Sequence, residues 1–410
     1  TPTVCISIFG HGFADPSAAI YRYGGGTWSP LPTTVVEETP GFRQLCAPVL
    51  LGAAPVTLAV MTPEVPANRI LTLAGTIPWD PIGDSCVGAT PDPPGGVPAT
   101  GTKLYYPAGA AFATARNAIY FAEKCGFRVR KLDLASGTTT TMTGTGSPSL
   151  GDAASVSTDP AVATFKSPTS IALDPAGNIY IADSGHCRIR KLYVDAAGNP
   201  DRIVTIAGTG VCGQSGDGGQ ATAAQLGNDL YIRTDAGGVL YVSDGDRVRR
   251  IGPGQPGDGS IDGNPDELIT TYVGGGTEAP GSTPVPATSL ALGKALGSAP
   301  SAGGDLYVAF RDGILRVDAI GQASLVRRTG QGVYGPVGDS LALLSNGELA
   351  WGSSDCRGYP DWQCFGRVNR LTKGSDGFVN GSADEIESPL AGYRDWAGLP
   401  LTTPPAPTRN

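Results

Sequence analysis

The sequence predicts an all-β protein, a six-bladed β-propeller made of four-stranded antiparallel blades. One phrase recurs, an alternating apolar run, a polar turn and a second alternating run; its copies span 117–132, 178–192, 238–251 and 304–318, with a weaker one at 347–371. A Thr- and Gly-rich phrase follows the first four copies, at 140–146, 204–210, 270–276 and 325–332. Alternation predicts antiparallel hairpins, and repetition over tens of residues predicts a repeat fold.

The best copy shows what one unit contains. Four short strands separated by turn residues are predicted at 171–174, 179–183, 188–192 and 203–208. One such sheet cannot bury both of its faces, so several must pack radially, as the blades of a propeller do. A linker phrase recurs before three of the units, at 98–104, 220–226 and 286–292.

The chain divides into three predicted regions. Residues 76–392 hold five blades, and residues 1–75 are strand-like without the repeated phrases. We expect that first region to complete the ring as the sixth blade. Two alternatives stay open, a ring closed by strands from both chain ends or a small separate domain. The Pro-rich tail 393–410 is predicted to run extended over the surface or onto a partner.

The repeated phrases resemble those of NHL-repeat propellers of secreted proteins. The resemblance rests on IYIAD (179–183), RIRKL (188–192), TIAGTG (205–210) and the linker SGDGGQATAAQL (215–226). It covers roughly 95–392 and is strongest over 165–251. The fourth unit departs from it at Phe310, and the fifth at Trp351. The resemblance implies a fold, which does not by itself imply an activity.

Composition fits a secreted β protein. The chain has 60 Gly and 35 Pro, many of them expected in turns, yet 40% of its residues are hydrophobic, enough for a core. A net charge of −8 argues against binding to nucleic acid or to an anionic membrane surface. The most apolar stretch, 49–61, is too short to span a bilayer. The sequence begins at Thr1 and not at a Met, which is expected if a signal peptide has been removed.

Eight cysteines predict four disulfides and an oxidising compartment. Within a four-stranded blade, the loops after the second and fourth strands lie on the same side, which brings particular cysteines together. This predicts the pairs Cys86–Cys125 and Cys187–Cys212. Cys356 and Cys364 share one inserted loop, which predicts Cys356–Cys364, and the two that remain predict Cys5–Cys46. Zinc is the rival interpretation, but the chain has no CxxC and only two histidines.

Two acidic loops are the candidate metal sites. They occupy matching places, 258–269 and 376–387, between the third and fourth strands of their units. Oxygen ligands on a Gly-rich loop suit Ca²⁺, although the spacing is not that of an EF-hand and such residues also form ordinary turns. The candidate ligands are Asp258, Asp262, Asp266, Glu267, Asp376, Asp384 and Glu385. Asn380 begins a sequon for N-glycosylation. No other cofactor is predicted.

The remaining charged residues favour structure over catalysis. An acidic residue ends the second strand at Glu123, Asp183 and Asp244, and an Arg pair begins each third strand. We expect these groups to tie neighbouring strands together. The two histidines, His11 and His186, form no catalytic motif. The alternative interpretation is a lyase or hydrolase with a metal in the central channel, as in other propeller enzymes.

The favoured function is therefore a non-enzymatic, extracellular binding or assembly module. The inserted loop CRGYPDWQC (356–364) would hold Tyr359 and Trp362 on a face of the propeller. Rigid exposed aromatics commonly anchor a protein partner or a sugar ring, although Trp362 could instead cover a blade edge. The predicted partners are a protein, a glycan or further copies of the chain.

Overall fold

The computed structural model describes the chain in parts. Backbone is described for 3–9, 19–24, 27–30, 34–39, 42–48, 57–61, 74, 86, 96–147, 158–253, 260–328, 340–357, 363–372, 374, 379 and 387–391. The chain forms two compact units, Thr1–Ile70 and Leu71–Asn410.

The first unit contains two three-stranded sheets. Its strands are β1 (Thr3–Phe9), β2 (Ala19–Gly24), β3 (Thr27–Pro30), β4 (Thr34–Thr39), β5 (Phe42–Pro48) and β6 (Thr57–Met61). They pair in the orders β1-β5-β4 and β3-β2-β6. Neither sheet has four strands paired in chain order, so the described residues of this unit contain no propeller blade.

The second unit repeats one sheet along the chain. Its strands are β7 (Val97–Pro98), β8 (Pro107–Ala113), β9 (Ala118–Glu123), β10 (Arg128–Asp133), β11 (Thr138–Thr143), β12 (Pro168–Leu173), β13 (Ile179–Asp183), β14 (Arg188–Val194), β15 (Pro200–Ala207), β16 (Leu230–Thr234), β17 (Leu240–Asp244), β18 (Arg247–Ile251), β19 (Ile269–Gly274), β20 (Val285–Pro286), β21 (Ala295–Pro300), β22 (Leu306–Phe310), β23 (Gly313–Val317), β24 (Gln322–Arg328), β25 (Ala342–Leu343), β26 (Leu349–Arg357), β27 (Gln363–Leu371) and β28 (Glu387–Ala391).

These strands form antiparallel blades of a β-propeller. Four blades follow one another between Val97 and Arg328, namely β8–β11, β12–β15, β16–β19 and β21–β24, here called the first to fourth blades. A fifth sheet, β25–β28, has the same strand order.

The all-β propeller of four-stranded blades is therefore confirmed. The predicted count of six is wrong for the described residues, because 1–70 does not supply another sheet of this order. The three-region division of the chain stays a prediction, and the tail 393–410 lies outside the described residues.

The recurring linker protects the outer edge of the first, third and fourth blades. In the first blade β7 pairs with β11, placing Val97 opposite Thr139, and in the fourth blade β20 pairs with β24. In the third blade the linker makes a bridge between Gln220 and Leu268. An edge strand with unpaired backbone groups would invite pairing with another chain. The linker phrases thus correspond to short strands and helical turns that cover the backbone groups of the edge strand.

Three-residue 3₁₀ helices accompany the strands. Those of the linkers are Ala99–Gly101, Ala221–Ala223 and Ala287–Ser289, and the other two are Thr114–Arg116 and Ser184–His186. The first residue of each linker helix is a buried alanine, 1–2% exposed, so a larger side chain would not fit there. Among the described residues, no helix has the length and apolar character needed to cross a bilayer.

The blades pack through one repeated arrangement. A tyrosine of the second strand, Tyr120, Tyr180, Tyr241 or Tyr307, lies in the apolar cluster shared with the next sheet. The next sheet contributes two residues of its second strand and one residue of its third strand to this cluster. For Tyr180 these are Leu240, Val242 and Ile251, all fully buried. The second strands are thus buried on both faces, which explains their nearly continuous apolar character.

Two of the predicted disulfides are confirmed. Cys86 bonds Cys125 and Cys187 bonds Cys212, with Cα atoms 4.6 and 5.2 Å apart. Cys187 follows the second strand of its blade and Cys212 follows the fourth, as the blade arrangement predicted. The other two bonds stay predictions. Backbone pairing places their partners directly opposite each other, Cys5 with Cys46 and Cys356 with Cys364.

Candidate functional site

Several predicted site residues lie outside the part of the chain that the structure describes. These are Tyr359, Trp362, Asp258, Asp376, Asp384, Glu385 and Asn380. The strands that flank the aromatic loop are described, and they pair up to Arg357 and Gln363. Strands β26 and β27 therefore form a β-hairpin. The binding role of Tyr359 and Trp362 and the glycosylation of Asn380 stay predictions.

The acidic loop of the third blade packs onto the second blade. Its central residue, Ile261, is fully buried, and its backbone exchanges two hydrogen bonds with the Tyr180 hydroxyl. The hydroxyl donates to the Ile261 carbonyl at 3.3 Å and accepts from the Ile261 amide at 3.2 Å. Val379 holds the equivalent place in the second acidic loop. It is also fully buried, and its carbonyl accepts from Tyr307 at 3.0 Å. Both loops therefore join one sheet to the preceding one.

Charged groups reinforce the joint at Ile261. The Lys191 ammonium, buried in the second blade, lies 2.9 Å from the Asp174 carboxylate and also bonds the Ser260 hydroxyl of the loop. Inside the loop, the Glu267 carboxylate accepts hydrogen bonds from the amides of Asp262 and Gly263, at 2.6 and 2.7 Å. A buried carboxylate that satisfies two backbone donors closes the turn.

This geometry does not support the predicted calcium site. The Glu267 oxygens face N–H donors, and Asp266 is exposed at the surface. Asp262 contributes its own amide to the turn, and no group of three or more His, Cys, Asp or Glu among the described residues could hold a metal ion. Of the proposed ligands that the structure describes, Asp262, Asp266 and Glu267, none takes part in such a group. Among the described residues of the loop, the carboxylate that bonds the turn is that of Glu267.

Glu267 should make this joint dependent on pH. Burial raises the pKa of Glu267 from its ordinary 4.5 to about 7, against the two amide donors, and the neighbouring Asp262 adds to the rise. A folded-state pKa above the unfolded value means that the folded protein holds the proton more tightly. The resulting stabilisation is complete below about pH 4.5 and is lost as the pH rises to about 7. We expect the melting temperature of the native protein to fall, relative to that of Glu267→Gln, between these pH values. Parallel curves for the two proteins would contradict this.

The repeated carboxylates at the ends of the second strands tie three strands together. Glu123, Asp183 and Asp244 are fully buried. Each accepts a backbone amide just before the first strand of its own blade, from Tyr105, Lys166 and Gly227 at 3.1, 2.8 and 2.9 Å. Glu123 and Asp244 also pair with arginines of the third strand. The predicted structural role of these groups is thereby confirmed.

The arginine partners are among the most buried side chains of the protein. The Arg128 guanidinium forms a short ion pair with Glu123, and that of Arg130 lies 3.7 Å away from the same carboxylate. In the third blade Arg249 lies 3.4 Å from Asp244 and 2.6 Å from Asp217 of the linker. Asp217 belongs to the SGDGG phrase, whose role is thus to dock the linker on its blade.

The fourth blade replaces both members of this pair at once. Phe310 stands where the other blades have the carboxylate, and Leu315 stands where they have the inner arginine. Both are buried, at 2% and 0% exposed. A buried arginine without a carboxylate would be strongly destabilising, so the two positions must change together. The departure at Phe310 is a change of core chemistry within the same fold.

His186 has a structural partner. Its Nδ1 lies 2.9 Å from the buried Asp183 carboxylate, three residues earlier in the chain. It follows the second strand directly, in the short helix that leads to Cys187. Such a contact orients the ring and fixes its tautomer. His11 lies outside the described residues.

An apolar cavity lies on the face of the first blade that points away from the second. Its volume is about 370 Å³. The wall residues are Ala74, Leu104, Pro107, Ala108, Gly109, Ala110, Ile119, Phe121 and Leu132. None carries a charge or a polar side chain. Sequence reasoning missed this cavity, although the apolar alternation of β8 and β9 was visible.

Comparison with known proteins identifies the repeat. Residues 165–192 match the NHL repeat. They span Phe165 to Leu192, the first three strands of the second blade. No curated protein matches the sequence.

Several solved structures are similar in fold. A gluconolactonase from Xanthomonas campestris is 15% identical, with 70% of this chain and 77% of that chain covered and a TM-score of 0.39. A virginiamycin B lyase from Staphylococcus aureus is 12% identical, covering 69% and 84%, with a TM-score of 0.36. A calcium-binding protein, regucalcin, from Agrobacterium tumefaciens is 13% identical, covering 68% and 73%, with a TM-score of 0.39. Likenesses at this level do not extend to activity, metal binding or partners.

Proposed function

We propose that this NHL-repeat β-propeller is a non-enzymatic binding module that works in an extracellular, oxidising setting. The observation that carries the proposal is the apolar cavity of the first blade, since apolar pockets on rigid scaffolds are typical binding sites. We propose the inserted segment with Tyr359 and Trp362 as a second contact surface. The two disulfides suit an oxidising compartment.

The charged groups of the described blades support binding over catalysis. Glu123, Asp244 and Glu267 each bond backbone amides, and the first two also pair with arginines. Groups engaged in this way are fixed by the fold. A catalytic acid or base must instead reach a substrate.

A binding panel with an enzymatic control tests the proposal. Native protein is applied to immobilised glycans and extracellular proteins, beside a Tyr359→Ala/Trp362→Ala variant. We expect at least one specific ligand and a loss of binding in the variant of about tenfold or more, the cost of truncating an aromatic anchor. Ile320→Ala, at a side chain 82% exposed, is the matched control and should bind normally.

The same preparation tests the enzymatic alternative and self-assembly. Lactone hydrolysis or lyase turnover, together with a stoichiometric bound metal, would overturn the proposal. Light scattering shows whether copies associate. If the tail 393–410 mediates association, its deletion should return the protein to monomers.

A further inference from the structure

Among the described residues, Lys191 is the lysine that the fold buries completely. Its side chain and that of Asp174 are 0% and 1% exposed, and its Nζ lies 2.9 Å from Asp174 Oδ2. The rings of Tyr180 and Tyr193 lie 5.1 and 4.7 Å from the same nitrogen. Water is therefore kept away from two charged groups, and taking such a pair out of water is costly even when the charges touch.

The position of Lys191 on the third strand holds a different group in the other blades. Strand pairing puts Arg250 and Arg316 there in the third and fourth blades, and Lys131, whose side chain is 18% exposed, in the first. An arginine keeps its proton, whereas a lysine held away from water can lose one and act as a nucleophile. Of the four described blades, the second therefore places a fully buried amine against a carboxylate.

The Asp174 carboxylate is held in a fixed orientation beside this amine. The backbone amide of Asn178 donates to Oδ1 at 2.7 Å, and the Asn178 side-chain amide donates to Oδ2 at 2.8 Å. Both oxygens thus have a donor that would stabilise negative charge developing on them during an attack at Cγ. On the other side, the Ser260 hydroxyl accepts a hydrogen bond from Nζ. Two groups held in contact in this way react far faster than the same groups free in solution.

We propose that Lys191 and Asp174 condense to form an isopeptide bond, which would join the turn after β12 to β14. In this step Nζ forms a bond to Cγ, and the bond from Cγ to Oδ2 breaks. The oxygen leaves as water with two protons of the ammonium group, and the third proton stays on the amide nitrogen. No atom is oxidised or reduced, and no further reactant is needed. A neutral amide replaces two buried charges, which is the direction that desolvation favours.

Peptide mass spectrometry of the reduced, alkylated and trypsin-digested native chain tests for the bond. Trypsin cleaves after lysine and arginine, so an unlinked chain gives the peptide 167–188 and is cut after Lys191. We expect instead that the peptides 167–188 and 191–202 are joined, at the sum of their masses less one water. Lys191→Arg keeps the charge and should give the unlinked peptides, because a guanidinium does not condense with a carboxylate.

A second lysine–aspartate pair in the same chain is the matched control. The Lys294 ammonium lies 2.5 Å from the Asp229 carboxylate, but the two side chains are 42% and 38% exposed. Because water surrounds this pair, we expect it to stay unlinked in the same digest.

Three results would overturn the inference. The first is an unlinked peptide 167–188 from the native protein, together with cleavage after Lys191. The second is a loss of one water that persists in Lys191→Arg, since the loss would then arise elsewhere. The third is equal joining of Lys294 to Asp229, which would show that burial is not what drives the condensation. The main result comes from the native protein, so it does not depend on the folding of a variant.

Discussion

Replacing Glu123 with alanine is expected to lower the free energy of unfolding by about 3–5 kcal/mol, because two arginines would lose a fully buried partner. Arg128 and Arg130 are 3% and 0% exposed, so water cannot take over the role of the carboxylate. The amide of Tyr105 would lose its acceptor as well. Chemical denaturation monitored by circular dichroism measures the change.

The fourth blade provides the control for this experiment. Glu123→Phe combined with Arg130→Leu reproduces its Phe310 and Leu315, which are packed without charge. We expect the double variant to be more stable than Glu123→Ala, since the inner buried charge is removed together with its partner. Asp201→Ala, at an exposed carboxylate, should change the stability by about 0.5 kcal/mol or less. A Glu123→Ala protein as stable as Asp201→Ala would show that the pair contributes nothing.

Removing the Cys187–Cys212 disulfide is expected to cost about 3 kcal/mol. The bond closes a loop with a sequence separation of 25, and a cross-link of that span limits the unfolded chain. It also holds the turn after the second strand against the start of the linker. The double variant Cys187→Ser/Cys212→Ser should therefore unfold at a lower denaturant concentration than the native protein.

A second disulfide allows an internal comparison. Cys86–Cys125 spans 39 residues, so the chain-entropy account predicts a slightly larger loss for Cys86→Ser/Cys125→Ser. A reducing agent should lower the stability of the native protein and leave a variant without either bond less affected. If the Cys187→Ser/Cys212→Ser protein is as stable as the native protein, the bond does not stabilise the fold.

The repeated blade could be predicted because its signals are local. Alternation in IYIAD and RIRKL defines two strands and their faces, and the turn residues fix where they end. The partners of Cys187 and Cys125 followed from which loops share a side of the blade. The first 70 residues gave no such guide. Their order β1-β5-β4 depends on pairing between distant segments, which alternation alone cannot specify.

The candidate sites were harder to predict, since carboxylates serve both metals and turns. The acidic loop was interpreted through Asp262, Asp266 and Glu267, whereas the decisive residue is the apolar Ile261 that directly precedes them. An apolar residue at the same place in both acidic loops, Ile261 and Val379, was a visible sign of packing. The cavity beside Phe121 depends on which sheet precedes the first blade, a tertiary fact outside the reach of local patterns.

The linker that covers the outer strand of the first, third and fourth blades has an evolutionary consequence. Val97 and Pro98 precede the first blade in the chain yet complete its last edge, and Val285 and Pro286 do the same for the fourth. The self-sufficient segment therefore starts at the linker and ends with the fourth strand. A gene duplication with these boundaries would copy a sheet together with its own edge cover. A duplication that began at the first strand would leave the new sheet with an uncovered edge strand. Propellers of this type should accordingly gain or lose blades in whole linker-to-strand segments.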